Sequence, residues 1–320
     1  MAGQLVNGEW ETINGFADKS GNFNRDKSAF RRWITPTGTP GPNGQEAVKA
    51  EKDRYHLYVS YACPWAHRAL IFRRLKKLED IITVNVVHPH MLDKGWTFNT
   101  DFDGATGDEL YKCNYLYQIY QKAKADYSGK VTVPVLWDKK ENTIINNESS
   151  EIIRILNTAF NELTGNEDDY YPAPMQEEIN QINDTVYNHV NNGVYKCGFA
   201  EKQNAYEKNI KPLFETLDWL EEKLEKNGPY LLGNKLTEAD IRLFTTLIRF
   251  DPVYYIHFKC NLKQIRDYPA LNAYMIKLYN LPEIKPTVHF DHIKQHYYYS
   301  HDHINPYRIV PAGPAQNVES

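Results

Sequence analysis

One cysteine, set where a strand hands over to a helix, constrains this chain more than any other feature. Tyr55-His56-Leu57-Tyr58-Val59 is rich in β-forming side chains and reads as a strand. Beyond it Ala69, Leu70, Phe72, Leu75 and Leu78 recur at helical spacing. Pro64 suits the first turn of that helix, where its missing N–H costs nothing. The run Ser60-Tyr61-Ala62-Cys63-Pro64-Trp65-Ala66-His67-Arg68 therefore predicts Cys63 at the helix N-cap. Free N–H groups and the positive end of the helix dipole stabilise a thiolate there. Three residues on, where a dithiol turn carries its second cysteine, stands Ala66. A monothiol of this kind needs an external thiol to resolve a mixed disulfide. A small buried cysteine that merely packs is the other reading of any single Cys, and the strand–Cys–Pro–helix context argues against it here.

At 320 residues the chain is long enough for two domains and a large core. A net charge of −4 gives no electrostatic case for nucleic acid or an acidic membrane surface. No apolar run approaches membrane-spanning length, and the start of the chain lacks a signal-type apolar core. Cys63, Cys113, Cys197 and Cys260 are widely spaced, so a reducing, cytoplasmic setting is expected. Only Cys63 has a helix-start context, and the other three read as structural. Of the 23 tyrosines most serve packing or surface, and some are expected to line a pocket for a flat ligand.

Residues 1–54 read as an irregular, extended arm, with turn chemistry from Thr35 to Gly44. Trp10, Phe16, Phe23, Phe30 and Trp33 are expected to anchor it. Over 55–162 the pattern is strand, helix, strand, helix, strand, strand, helix. The second strand is expected over Ile81–Val87 and the second helix over Glu109–Lys124. Thr132–Trp137 reads as a strand with Pro134 inside it, an unfavourable place in a central strand. A cis peptide before Pro134 resolves this by placing the backbone beside the helix end. Ile144-Ile145-Asn146 leads into a helix begun by Ile152, Ile153, Ile155 and Leu156. Glu148 and Ser149 thus lie at a second helix N-terminus, where they can bind an α-amino and an α-carboxylate group or simply cap.

Residues 163–175 are an acidic, proline-bearing linker. From 176 to 285 the sequence is helical by period. Ile179, Ile182, Val186 and Val190 share a face, as do Leu213, Leu217, Leu220 and Leu224. Thr237 with Asp240 reads as a capping box opening a buried helix. Residues 286–320 form a tail expected to pack near the active site. In it His292 and His296 stand four apart, with His301 and His303 behind. Such a spacing can share a metal, but no carboxylate or cysteine set accompanies it, and packing beside Tyr297, Tyr298 and Tyr299 is preferred.

Several segments form a set: Cys63-Pro64-Trp65-Ala66, Gly95-Trp96-Thr97-Phe98, Val131 to Asp138 and Asn147-Glu148-Ser149. In the second half stand Asn192 to Ala200, Arg249 to Tyr254, His257 to Asn261 and Ser300-His301. Together they resemble the cysteine-type glutathione transferases, more closely the Xi class, the glutathionyl-hydroquinone reductases. The resemblance covers nearly the whole chain. It implies a thioredoxin-like α/β domain followed by an all-α domain, glutathione as cosubstrate, no metal, and a homodimer. It makes Cys63 the nucleophile and places Trp96, Lys130, Val133, Pro134, Glu148 and Ser149 around glutathione. It sets Tyr195 and Tyr297 against the aromatic substrate as catalytic hydroxyls. Lys130 stands where the class leads one to expect arginine, and lysine keeps the charge but not the bidentate fork. The competing readings are an omega-like thiol transferase or dehydroascorbate reductase, and a non-catalytic module that binds aromatic ligands.

Overall fold

The computed structural model describes residues 2–13, 18, 21–23, 28–314 and 318; Phe16, one of the expected anchors, lies outside them. The chain forms two compact units. One holds residues 1–15, 26–169 and 289–303; the other holds 16–25, 170–288 and 304–320. Neither is one continuous stretch, because the expected arm and the expected tail each contribute to both.

The first unit opens with an antiparallel hairpin, β1 (Ala2–Val6) and β2 (Glu9–Ile13). Next come β3 (Trp33–Thr35) and β4 (Ala47–Lys49), which pair in parallel. The stretch expected to be irregular thus carries two strand pairs. These strands run three to five residues, too short to declare a period, and tertiary pairing decides such segments.

The central elements are β5 (Tyr55–Val59), α1 (Pro64–Leu75), β6 (Thr83–Val86), α2 (Leu116–Ala123), β7 (Gly129–Lys130), β8 (Val135–Asp138), β9 (Thr143–Asn146), α3 (Ser149–Thr158) and α4 (Asn161–Thr164). The main sheet has the order β6-β5-β8-β9. β5 and β6 are parallel, joined through α1, while β8 runs antiparallel to both β5 and β9. This is the strand–helix–strand and hairpin–helix order of a thioredoxin-like domain. All five residues of β5 are buried, as an interior strand covered on both faces requires. β7 pairs instead with β1, through Gln4 and Lys130.

Three boundaries differ from the sequence reading. The second strand is shorter, Thr83–Val86. The second helix starts at Leu116, not Glu109. Asp108 explains this: its carboxylate accepts the N–H of Leu110 (3.1 Å) and of Cys113 (2.9 Å), and the Tyr58 hydroxyl (3.0 Å). A side chain that takes main-chain N–H groups this way offers the backbone an alternative to helix. Finally, β8 begins after Pro134, so the proline sits outside the ladder, and the Val133–Pro134 peptide is cis.

Residues 28–32 run beside β9. Arg32 N–H donates to the Ile145 carbonyl (2.9 Å), and Asn147 N–H to that of Phe30 (3.2 Å). Arg31 holds Glu151 through two contacts of 2.5 and 2.6 Å.

The second unit is helical: α5 (Gln176–Val186), α6 (Gly193–Gly198), α7 (Gln203–Asn227), α8 (Glu238–Arg249) and α9 (Pro269–Tyr279). π-helical turns follow α5 at Tyr187–Asn191 and α8 at Phe250–Tyr254. The apolar stripes Ile179, Ile182, Val186, Val190 and Leu213, Leu217, Leu220, Leu224 are buried. Every residue of α8 is buried. Its cap is the expected one: Asp240 accepts the Thr237 N–H (2.8 Å) and hydroxyl (2.9 Å). The last helix, α10 (Phe290–Ser300), belongs to the first unit. Among the described residues no helix is long and apolar enough to cross a membrane.

Candidate active site

Cys63 is the N-cap residue of α1, with extended backbone (φ −76°, ψ 120°) and Pro64 just inside the helix. Its N–H donates to the Ser60 carbonyl (3.2 Å) and its carbonyl accepts from His67 N–H (3.0 Å). The cap is therefore held from both sides. First-turn N–H groups lack intrahelical acceptors, so this end of α1 favours negative charge. Cys63 is half-buried, and its Sγ lies 3.7 Å from the Val133 carbonyl, just before cis-Pro134. Two of the other thiols, Cys113 and Cys260, sit in settings hostile to a thiolate. Burial, then Asp108, pushes the Cys113 thiol up to about 11. Burial and the neighbouring Cys197 thiol push Cys260 well up. None of the four cysteines is in a disulfide.

Glu148 is the N-cap residue of α3. One carboxylate oxygen accepts the Ser150 N–H (3.2 Å) and hydroxyl (3.0 Å), the other the Ser28 hydroxyl (3.0 Å). Capping is thus part of what Glu148 does. Ser149, the first residue of α3, is buried, and its Oγ accepts from Arg68 Nη1 (3.4 Å). Arg68 is itself buried, its guanidinium 4.5 Å from the Trp65 ring centre. A buried cation beside a helix N-terminus reinforces the preference for an anion there.

The Val133 loop and the Glu148 cap share one support that sequence reasoning missed. The Tyr120 hydroxyl donates to the Thr132 carbonyl (2.9 Å) and accepts from the Thr132 N–H (3.2 Å) and Asn147 Nδ2 (3.1 Å). It is buried, and burial pushes its pKa up, so it stays a neutral hydroxyl. Nothing in the sequence distinguishes Tyr120 from the other tyrosines of the chain.

Trp96 is buried, and its carbonyl accepts from Leu116 N–H (2.9 Å). Its indole stacks on His296 of α10, ring centres 4.7 Å apart at 23°. Tyr297, the next residue, is 1% exposed and lies edge-on to the rings of His296 and His301. Hydrogen bonds also fasten α10 to the loop carrying Trp96. His292 Nε2 meets the Asp103 carbonyl (2.6 Å), and His296 Nδ1 that of Pro89 (2.9 Å). His90 Nε2 meets Gln295 Oε1 (2.9 Å), and Met91 N–H donates to Ser300 Oγ (2.9 Å). Burial holds the His292 and His88 imidazoles below their ordinary pKa. The histidine pair thus faces backbone carbonyls, and among the described residues no cluster of His, Cys, Asp and Glu is arranged to hold a metal ion.

Lys130 is half-buried in β7, its carbonyl taking the Tyr127 hydroxyl (3.2 Å). Tyr195 lies in α6 of the second unit. It sits in an aromatic cluster with Phe23 (6.0 Å), Phe258 (5.4 Å), Phe199 (5.9 Å) and Tyr254 (6.1 Å between ring centres). Every other residue expected at the site belongs to the first unit.

The family model described as the glutathione S-transferase N-terminal domain matches residues 62–159, and that of the C-terminal domain matches 203–276. The glutathionyl-hydroquinone reductase YqjG of Escherichia coli is 54% identical, with 99% of this chain and 97% of the relative covered. Its glutathione-bound structure superposes with a TM-score of 0.92 over 99% of this chain and 97% of that one, at 52% identity. The glutathione S-transferase omega-like 2 of Schizosaccharomyces pombe is 51% identical over 96% of this chain and 98% of its own. The glutathione S-transferase Xi of Phanerochaete chrysosporium matches with a TM-score of 0.88 and 53% identity, covering 93% of this chain and 99% of that one. The chain belongs to the Xi-class glutathione transferases.

For a Xi-class transferase the two units have a plain meaning: a thioredoxin-like domain carries Cys63, cis-Pro134 and the α3 cap, and a helical domain carries Tyr195. The N-cap cysteine, the cis-proline and the second cap were placed from local sequence rules. The contacts of Arg68 with Ser149, of Tyr120 with Thr132 and Asn147, and of His296 with Trp96 were not anticipated. For His296 a signal existed, the four-residue spacing from His292, but it reads only as a metal pair or as packing in the tail, and packing is preferred.

Proposed function

We propose that this Xi-class transferase is a glutathionyl-hydroquinone reductase. The observation that carries the reading is Cys63: a half-buried thiol at a helix N-cap, beside the Val133 carbonyl and cis-Pro134, with Ala66 where a resolving cysteine would stand. The named relative of high identity supports the substrate class. In the first step the Cys63 thiolate attacks the sulfur of a glutathionyl-hydroquinone. The sulfur–carbon bond breaks, its electron pair leaves with the ring carbon, and that carbon takes a proton. The glutathionyl sulfur is oxidised into a Cys63–glutathione disulfide and the ring is reduced to hydroquinone. In the second step a glutathione thiolate attacks that disulfide, releasing glutathione disulfide and the Cys63 thiolate.

Trp96, Lys130, the Val133 main chain, Pro134, Glu148 and Ser149 hold glutathione in this reading. The α3 N-terminus, with Arg68 beneath Ser149, suits a carboxylate. The Tyr195 and Tyr297 hydroxyls bond the ring oxygens and assist the proton transfer. A homodimer and a glutathione-rich, reducing compartment such as the cytoplasm complete it, and four cysteines outside any disulfide accord with such a compartment.

The test is mass spectrometry of protein mixed with a glutathionyl-hydroquinone and no free glutathione. One glutathione on Cys63 and free hydroquinone are expected, and Cys63→Ala should give neither. Turnover retained by Cys63→Ala would overturn the nucleophile assignment. The omega-like name of the fission-yeast relative supports a second reading, thiol transfer to dehydroascorbate. Side-by-side rates on dehydroascorbate and a glutathionyl-hydroquinone separate the two.

A further inference from the structure

His292 and His296 stand one helical turn apart on α10, a spacing that suggests metal, yet each imidazole meets a backbone carbonyl through one nitrogen. A carbonyl only accepts, so the facing nitrogen of each must carry hydrogen, which fixes the tautomer. For His296 this places the proton on Nδ1, bonded to the Pro89 carbonyl at 2.9 Å. The fixed ring then lies flat on the Trp96 indole. The main chain of Trp96 is held independently. Leu116 N–H bonds its carbonyl, and the indole of Trp10 packs where a side chain on Gly95 would sit, 2.8 Å from that point. What the backbone leaves undetermined is the rotation of the Trp96 side chain, and an aromatic plane against the indole face opposes that rotation.

We infer that His296 is a positioning residue: through its ring face it sets the Trp96 indole for glutathione, and through the chain it links that indole to Tyr297. This rests on reading Trp96 as a wall of the glutathione site. The stack, not the hydrogen bond to Pro89, is the part that acts on affinity. Phenylalanine keeps an aromatic plane and loses the hydrogen bond. Asparagine can return a donor near the place of Nδ1 and loses the plane.

Glutathione binding measured by calorimetry on the full chain separates these. His296→Asn should weaken glutathione binding about fivefold, the size of an aromatic stack. His296→Phe should stay within about twofold of wild type while unfolding at lower temperature, because the Pro89 carbonyl loses its donor. His296→Tyr serves as the second aromatic variant if His296→Phe does not fold. KM for glutathione should follow the binding constants, with kcat at saturating glutathione moving less. If the aromatic variants lose as much affinity as His296→Asn, or if none changes it, the positioning role is wrong although the functional reading stands. If wild type binds no glutathione, the functional reading fails and this one with it.

Discussion

Acid should loosen the strand that delivers the nucleophile, through one histidine. His56 lies at the second position of β5, 1% exposed, its Nδ1 2.7 Å from Thr83 Oγ1. Burial first, and then Lys139, lowers its pKa from 6.5 to about 3. The folded chain therefore keeps this ring neutral where the unfolded chain takes up a proton. Stability is full above the unfolded pKa, falls as pH drops through about 6.5, and stops falling near about 3. At about pH 5 the unfolded state has gained roughly 1.5 pH units of proton binding, or about 2 kcal/mol. His56→Asn removes the titration and keeps a partner for Thr83. Urea unfolding at about pH 7.5 and about pH 5 should show wild type losing about 2 kcal/mol more than the variant. His88 and His292 are lowered by burial too, but they remain in both proteins and cancel in the difference. Equal losses in the two proteins, or an imidazole NMR signal showing His56 charged at about pH 5, would refute the reasoning.

Two more outcomes follow from contacts in other parts of the chain. A methyl group added at Gly198 would lie 2.2 Å from the ring of Phe258, which is fully buried. Gly198→Ala should cost about 1–3 kcal/mol by overpacking, read as a lower urea midpoint, and should disturb the cluster around Tyr195. Tyr297→Phe should slow turnover on a glutathionyl-hydroquinone more than it weakens glutathione binding. Unchanged kcat would remove the hydroxyl from the proposed mechanism.

Where the sequence was informative, the signal was local. Cys63 before Pro64, Glu148 before an isoleucine-rich helix, and Thr237 three residues before Asp240 are each decided within one helical turn, and all three are found as caps. Pro134 was legible for a related reason: a residue without an N–H cannot sit in a central ladder, and β8 begins just after it. What was not legible depends on partners far along the chain. β1 pairs with β7 across more than a hundred residues. The start of α2 is delayed by the Asp108 carboxylate, and its Asp gave no warning because a helix was equally compatible with the local pattern. Tyr120 and His296 acquire their places from Thr132, Asn147, Pro89 and Trp96. None of these is near enough in sequence to leave a periodic trace.

The segment at 28–32 has a consequence for how this protein can be shortened. β9 is one of the two edge strands of the main sheet, and an uncovered border of that kind invites another chain to add itself. Here the border is already engaged: Arg32 bonds the Ile145 carbonyl, Asn146 Nδ2 bonds that of Arg32 (3.1 Å), and Phe30 and Ser28 reach Asn147 and Glu148. A truncation that began at β5 would strip the sheet of this guard and, in the same cut, unfasten the helix cap proposed to receive glutathione. Such a fragment would sooner join its own copies than hold a ligand.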